Sequence, residues 1–230
     1  MTYLYLIINL ASISIPLFRS FESRVNLYSK WKSVFLAIGI TAIPFLIWDQ
    51  YFTHLGVWGF NPAYITGLAF GELPIEEILF FVTIPYACIF TYETLNTLIE
   101  KDYFLRITPY INAVLTVGLL AMALLNLDKM YTSWTFLLTP LFIAFLVYGL
   151  KVRFMSRFYF AYMIILIPFF MVNGVLTGSF IEDQVVWYNP AENLNIRMFT
   201  IPVEDSCYGL LLILMNVSLF EYFKTRFHQN

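Results

Sequence analysis

The sequence predicts an all-α membrane protein with seven transmembrane helices, and three observations support this fold class. Of its 230 residues 60% are apolar and only 12% are charged, about half the usual charged fraction of a soluble domain. Several apolar runs approach the roughly 20 residues that a membrane-spanning helix needs, and the alternating pattern of a membrane β-barrel is absent. The third observation is an internal repeat whose halves carry the same motifs.

Seven apolar segments follow one another along the chain, of which the first and the fourth are short for a membrane span. The first segment has neither a basic region before it nor a small-residue cleavage site after it. We therefore expect a retained helix there rather than a cleaved signal peptide. The segments are Tyr3–Phe18, Val34–Phe52, Pro74–Leu98, Tyr110–Leu127, Trp134–Leu150, Phe158–Thr177 and Pro202–Phe223.

The distribution of positive charges agrees with seven spans. Eleven of the thirteen Lys and Arg residues then fall on one side of the membrane, and Lys129 and Arg197 fall on the other. The positive-inside rule predicts a cytosolic C-terminus and an N-terminus outside. We expect a multi-pass protein of the plasma (cytoplasmic) membrane, in contact with the lipid bilayer.

A duplication divides the chain into two similar parts. Asn61-Pro62 returns as Asn189-Pro190, and Pro74-Ile75-Glu76-Glu77 returns as Pro202-Val203-Glu204-Asp205, both at an offset of 128 residues. Helices one to three therefore correspond to helices five to seven, which predicts two parallel three-helix repeats joined by a linker helix. The predicted domains are residues 1–105 (first repeat), residues 106–130 (linker helix 4) and residues 131–230 (second repeat).

The two Pro-x-Glu-acid motifs contain the candidate catalytic residues Glu76, Glu77, Glu204 and Asp205. An acid in the first turn after a proline is ordinary helix-start chemistry. Ionisable groups at the start of membrane-depth segments are nevertheless costly, and they usually face a partner or a cavity. Adjacent helical residues point about 100° apart, so one acid of each pair can face a shared centre. We expect Glu76 and Glu204 to be these inward members.

Several polar residues near the motifs are candidates for supporting roles. Asp49 and Asn173 each follow an Ile-Pro-Phe motif by four residues, and hydrogen bonding at a helix end explains them as well as catalysis does. Asn61 and Asn189 precede prolines and are typical of turns, and orientation of the acids is the alternative. The supporting candidates are Pro74, Pro202, Asn61, Asn189, Asp49 and Asn173.

Aromatic residues in and beside the spans are candidates for contact with a cationic intermediate, because ring faces attract positive charge without reacting with it. Packing, or an interfacial belt for the two tryptophans, is the simpler interpretation. The aromatic candidates are Phe80, Phe81, Tyr86, Tyr208, Trp58 and Trp187. Glu93 and Glu221, further along the same helices as the acidic motifs, are expected to pair with Lys or Arg.

Absent motifs exclude several classes of function. Two cysteines in apolar runs and two distant histidines predict neither a disulfide framework nor a metal centre. The chain has no Gly-x-Gly-x-x-Gly nucleotide motif, no Asp-Asp-x-x-Asp motif and no lysine within the seventh span for a retinal Schiff base. A net charge of −2 gives no basic surface for nucleic acid. The sequence therefore predicts acid–base chemistry in an apolar cavity without a cofactor.

Residues 56–62 (Gly-Val-Trp-Gly-Phe-Asn-Pro) and 73–81 (Leu-Pro-Ile-Glu-Glu-Ile-Leu-Phe-Phe) resemble the lycopene cyclase domain of the small, integral-membrane type. The hallmark of that family is Pro-x-Glu-Glu or Pro-x-Glu-Asp, and each variant occurs once here. The likeness covers nearly the whole chain as two domain copies, so it resembles the fused single-chain form. The second copy is more divergent, with Glu192, Arg197 and Ser206 near its motif.

The resemblance implies a lycopene β-cyclase, an intramolecular lyase that acts on lycopene and other linear carotenoids. Ring closure at the ψ end groups would give γ-carotene and then β-carotene. Glu76 or Glu204 would donate the proton, and Glu77, Asp205 or the same carboxylate would remove one from the new ring. The ring isomer and the formation of a homo-oligomer are left open.

Two other interpretations compete with a cyclase. Small sugar and vitamin transporters share the three-plus-one-plus-three helix plan, but they carry a Pro-Gln motif that is absent here. Transport of a polar solute would also require more polar groups within the spans than the scattered Asn9, Asn112 and Asn173. A non-catalytic partner subunit, or a degenerate cyclase, is the second alternative.

Overall fold

The structure is a computed structural model and describes residues 3–228 of the chain. In this part the fold is all-helical apart from short ribbons in the loops. Each helix overlaps one of the seven predicted apolar segments, so the prediction of an all-α fold is confirmed. A π-helical turn (Phe145–Gly149) extends the fifth helix. The helices are α1 (Leu4–Arg19), α2 (Trp31–His54), α3 (Ile75–Leu98), α4 (Thr108–Leu125), α5 (Met130–Ala144), α6 (Met155–Leu176) and α7 (Val203–His228).

Six helices within the described residues are long and apolar enough to cross a membrane, and α1, with 16 residues, is shorter. Large apolar side chains cover the outside of the bundle. On α4, for example, Val114, Val117 and Leu125 are about 70% exposed or more. Such a surface requires an apolar environment, which indicates a membrane protein. The seventh span, the outward N-terminus and the plasma membrane stay predictions.

Side-chain contacts show which helix ends lie together. Tyr5 near the start of α1 contacts Glu77 near the start of α3, and Tyr131 near the start of α5 contacts Asp205 near the start of α7. Asp49, near the end of α2, lines the same cavity as Glu77 and Asp205. We call this end of the bundle, at which Glu77 and Asp205 lie, the motif end. The largest apolar core cluster lies between α2, α3, α6 and α7 and includes Tyr86, Ile89, Phe158, Leu214 and Phe220.

Within the described residues, six short strands form three antiparallel ribbons in the loops, none of which the sequence predicted. The longest ribbon pairs β1 (Trp58–Phe60) with β4 (Val186–Tyr188) and so joins the two halves of the chain. A Cβ atom at Gly59 would overlap the indole ring of Trp187, so any larger residue there would displace this ring. The other ribbons are β2 (Ala69–Phe70) with β3 (Leu73–Pro74), and β5 (Arg197–Met198) with β6 (Ile201–Pro202).

Corresponding residues of the two halves make corresponding hydrogen bonds. The amide of Ile75 donates to the carbonyl of Leu68 at 2.9 Å, and that of Val203 donates to Ile196 at 3.0 Å. Helix α1 packs against α3 as α5 packs against α7. The predicted domains and their parallel arrangement about a membrane axis stay predictions, and residues 1, 2, 229 and 230 of those domains lie outside the described residues.

A cluster of ion pairs joins α3, α7 and Lys30, the residue before α2, at the end of the bundle opposite the motif end. The Glu93 carboxylate is 4% exposed and accepts hydrogen bonds from Lys30 Nζ at 2.5 Å and Lys224 Nζ at 3.0 Å. Lys224 also binds Glu221 at 2.8 Å. The prediction that Glu93 and Glu221 pair with basic residues is confirmed.

Glu93→Gln should destabilise the bundle, because it leaves two partly buried lysines without their shared carboxylate. We expect the free energy of unfolding to fall by about 2 kcal/mol. This is less than for a fully buried ion pair, because both lysines are partly hydrated. Thermal denaturation of the detergent-purified protein measures the effect. Glu22→Gln is the matched control: it removes the more exposed Arg19–Glu22 pair and should cost less than about 1 kcal/mol. Equal melting temperatures for the two variants would contradict the expectation.

Candidate active site

Each acidic motif begins a helix, and the two acids of a motif have different surroundings. Pro74 has an extended backbone with a φ of −64°, and α3 begins at the next residue, so Glu76 and Glu77 both lie in the first turn. Glu204 and Asp205 lie in the first turn of α7 in the same way. The partial positive charge of a helix N-terminus favours carboxylates at these positions.

The first acid of each motif binds the preceding loop. Glu76 Oε1 accepts a hydrogen bond from the amide of Thr66 at 2.6 Å, and Glu204 Oε1 accepts one from the amide of Leu194 at 2.7 Å. The hydroxyl of Thr132 on α5 also donates to Glu204 Oε1 at 2.6 Å. Both glutamates are fully buried and neither lines the cavity at the motif end. The prediction that Glu76 and Glu204 face a shared centre is therefore wrong: the loop amides need acceptors and lie on the side to which these two residues point.

The second acid of each motif lines that cavity. The Tyr5 hydroxyl of α1 donates to Glu77 Oε2. The Tyr131 hydroxyl of α5 donates to Asp205 Oδ1 at 2.5 Å, and the Tyr188 hydroxyl of β4 donates to Asp205 Oδ2 at 3.0 Å. Burial, and next the neighbouring Asp205 carboxylate, raise the pKa of Tyr188 well above its usual value, so its phenol stays protonated.

The cavity has a volume of about 80 Å³ and mostly apolar walls. This volume corresponds to roughly five to eight water positions. The β1–β4 ribbon covers it with Trp58, Phe60, Val186 and Tyr188. On the α3 and α6 side its walls are Phe80, Ile84, Phe169 and Asn173, which are all half-buried. The cavity therefore approaches the outer surface between α3 and α6, as it also does at the half-buried ribbon residues Phe60 and Tyr188.

Asp49 and Asn173, which follow the Ile-Pro-Phe motifs, both line the cavity. Asp49 is 2% exposed, and its Oδ1 accepts a hydrogen bond from Trp58 Nε1 at 2.6 Å. Its Oδ2 is buried and has no hydrogen bond of ordinary geometry among the described residues. The Asn173 amide donates to the carbonyl of Phe169 in its own helix at 3.2 Å.

The other supporting candidates shape the loops. Asn61 Oδ1 accepts from the amide of Ala63, and Asn189 Oδ1 accepts from the amide of Ala191, both at 3.0 Å. Both side chains therefore make turns and do not contact the acids. Pro74 and Pro202 pair with Ala69 and Arg197 in the short ribbons that precede α3 and α7. These prolines fix where the two helices begin.

Half of the aromatic candidates lie away from the cavity. Trp58, Phe80 and Tyr208 line it. Phe81 instead packs against Phe45, with ring centroids 6.1 Å apart. The Tyr86 hydroxyl binds Ser20 at 2.6 Å and accepts from Trp31 Nε1 at 2.9 Å, and Trp187 is 37% exposed above Gly59. Phe81, Tyr86 and Trp187 do not line the cavity, and the simpler interpretation applies to them, because these rings fill the core or cover a loop.

Sequence reasoning missed the phenols that bind the cavity acids. Tyr5 and Tyr131 occupy similar places near the starts of α1 and α5, which is the one signal that the repeat offered. Their role depends on helix pairing, which spacing along the chain does not reveal. Within residues 3–228, no group of three or more His, Cys, Asp or Glu side chains is arranged to hold a metal ion.

Comparisons with known proteins find a family match in two separate ranges of the chain. The family model described as lycopene cyclase matches residues 2–95 and 128–223. A stretch of 71 residues, 31% of the chain, is 30% identical to a bifunctional lycopene cyclase/phytoene synthase of Aspergillus niger. The match covers only 12% of that relative's length. No solved structure matches the chain. Because the family match extends over most of its residues, the chain belongs to the lycopene cyclase family.

Proposed function

We propose that this chain closes rings at the ψ end groups of lycopene by redox-neutral acid–base catalysis. One observation carries the proposal: in a member of the lycopene cyclase family, the second acids of both motifs, Glu77 and Asp205, line a single apolar cavity. A carboxyl group in such a cavity can transfer a proton to a hydrocarbon without competition from bulk water.

The reaction adds one proton and removes another. Glu77 or Asp205 protonates the terminal double bond of the substrate, which leaves a tertiary carbocation. The neighbouring double bond attacks this cation and closes the ring, and the positive charge moves to a ring carbon. A cavity carboxylate then removes a ring proton, and the electrons of that C–H bond form the new double bond. No electrons are gained or lost, so no redox cofactor is needed.

The walls of the cavity suit a carbocation. The aromatic rings of Trp58, Tyr208 and Phe80 present π-electron faces and edges that do not react with it. The β1–β4 ribbon limits access of water, which would otherwise capture the cation as an alcohol. Carboxylates stabilise positive charge more strongly here than in water, because the dielectric constant is low.

The size of the cavity favours the closure of one end at a time. A volume of about 80 Å³ is far too small for a whole carotenoid, so no more than one end group can enter at a time. The half-buried residues Phe80, Ile84 and Phe169 mark the gap between α3 and α6 as the route by which the polyene chain extends towards lipid. One-ring γ-carotene would then form before two-ring β-carotene.

A small transporter with the same helix plan is less well supported, since the chain matches the lycopene cyclase family. A non-catalytic partner subunit stays the main alternative, and the following assay distinguishes it from an enzyme.

Expression in cells that accumulate red lycopene should turn the pigment orange-yellow, with γ-carotene and β-carotene detected by chromatography. Glu77→Gln and Asp205→Asn should each lower ring formation by at least about a hundredfold, because each removes a general acid or base. Asp128→Asn makes the same chemical change at an exposed loop position and should leave the pigment unchanged. Wild-type turnover in both cavity variants would contradict the assigned roles.

Tyr131→Phe should lower ring formation by about ten- to a hundredfold, because Asp205 loses one of its two phenol donors. Initial rates of conversion in membranes supplied with lycopene measure this effect. Tyr148→Phe removes a hydroxyl from a side chain that is 66% exposed and serves as the control. If both variants keep the wild-type rate, the hydrogen bond to Asp205 has no part in catalysis.

Glu76→Leu and Glu204→Leu should destabilise the fold. Each leaves a loop amide without its acceptor and should lower the free energy of unfolding by about 1–3 kcal/mol. Thermal denaturation in detergent should therefore occur at a lower temperature for these variants than for Glu77→Gln. Melting temperatures that rank in the opposite order would contradict the division of roles within each motif.

A further inference from the structure

We propose that Asp49 is the catalytic base that removes the proton from the newly closed ring. The inference rests on the proposed cyclase function and assigns to one residue the proton removal that the proposed function leaves to any cavity carboxylate. Asp49 lies on α2, outside both motifs, and lines the same cavity as Glu77 and Asp205.

Three carboxyl groups face this cavity. The chain contains fifteen Asp and Glu residues, all in the described part, and Asp49, Glu77 and Asp205 are the ones that line it. Asp49 is 2% exposed and lies within a membrane-spanning segment, where an unused carboxyl group would be costly. Its presence there requires a role.

The hydrogen-bond partners of the three carboxyls differ in kind. Glu77 and Asp205 are bound by the phenols of Tyr5, Tyr131 and Tyr188, and a phenol can either donate or accept. These two acids can therefore carry a proton or release it while the hydrogen bond is kept. Such partners suit the group that donates the first proton.

Asp49 is bound by an indole instead. Trp58 Nε1–H can only donate, so Asp49 Oδ1 is an acceptor in every state. A hydrogen bond of this kind favours the charged carboxylate, as the phenol bonds to Glu77 and Asp205 do while the phenols donate, but only the indole can never become an acceptor. The second oxygen, Oδ2, is buried and has no hydrogen bond of ordinary geometry in the described chain, although the Thr53 hydroxyl one turn further along α2 lies close to this carboxyl group. The bond at Oδ1 thus fixes the orientation of Asp49, and Oδ2 is the oxygen that can accept a proton.

The two halves of the chain differ at this position. Asn173 corresponds to Asp49 in the repeat and also lines the cavity, but a neutral amide cannot remove a proton from carbon. Each half therefore contributes one phenol-bound acid, whereas the first half alone contributes an indole-bound carboxylate. The ring proton is accordingly removed on the α2 side of the cavity.

The step balances within the protein. The ring C–H bond breaks, its electron pair becomes the new C=C bond, and the proton forms an O–H bond with Asp49. The donor carboxyl has meanwhile become a carboxylate. Transfer of the proton from Asp49 back to that carboxylate restores both groups, so no further reactant is consumed.

The position of the base selects the carbon that loses its proton, and so the ring isomer. Asp49→Asn should therefore lower ring formation at least about tenfold and change the ratio of ring isomers in the remaining product, because another group removes a different proton. Chromatography and NMR of carotenoids from lycopene-accumulating cells measure both quantities. Asp49→Glu keeps a carboxylate but moves it by one methylene, and should retain ring closure with an altered isomer ratio. Asp128→Asn is the control for loss of an acid outside the cavity.

A lower yield with an unchanged isomer ratio in Asp49→Asn would overturn the inference, since that result indicates a structural role only. Wild-type yield and ratio would overturn it as well. If Asp49→Asn forms no ring, recovery of rings in Asp49→Glu supports the base, and a folded but inactive Asp49→Glu contradicts it. Absence of rings from the unmodified chain would instead overturn the proposed function itself.

Discussion

A carboxyl group buried in an apolar helical bundle must have hydrogen-bond donors, and this requirement determines how the two halves of the molecule are built. In each acidic motif the first acid binds a loop amide and the second binds a phenol from a neighbouring helix. The first interaction holds a loop against the start of α3 or α7. The second joins α1 to α3 and α5 to α7. These four carboxyl groups thus hold the loops and helices of the motif end together. Two of them, Glu77 and Asp205, face the cavity.

Pairing of β1 with β4 joins the two halves where their loops meet and covers a cavity to which both contribute. The contributions are unequal. Glu77 and Asp205 have similar surroundings, whereas Asp49 has a neutral counterpart in Asn173. Two similar halves of the sequence therefore form one asymmetric cavity. Such asymmetry is expected if ring closure needs a proton donor and a separate proton acceptor around one substrate end.

The sequence predicted the helices well, because long apolar runs bounded by Pro, Asn and charged residues leave few alternatives, and it located both acidic motifs through their common offset. It failed at the level of side-chain direction. Two adjacent acids differ by about 100° around a helix, and the choice between them depends on where the loop amides lie. Glu76 was therefore expected inward, although Glu77 faces the cavity. Tyr5 and Tyr131 were missed because their partners are more than 70 residues away. The strands were missed because they are only two or three residues long.

One cavity, built by both halves, is expected to receive the end group of the substrate between Glu77 and Asp205. An experimental structure of the Glu77→Gln variant with lycopene bound tests this claim most directly. We expect a ψ end group beside residue 77 and the Asp205 carboxylate, beneath the β1–β4 ribbon, with the polyene chain leaving between α3 and α6. Carotenoid bound elsewhere on the bundle, with this cavity empty of it, would contradict the account.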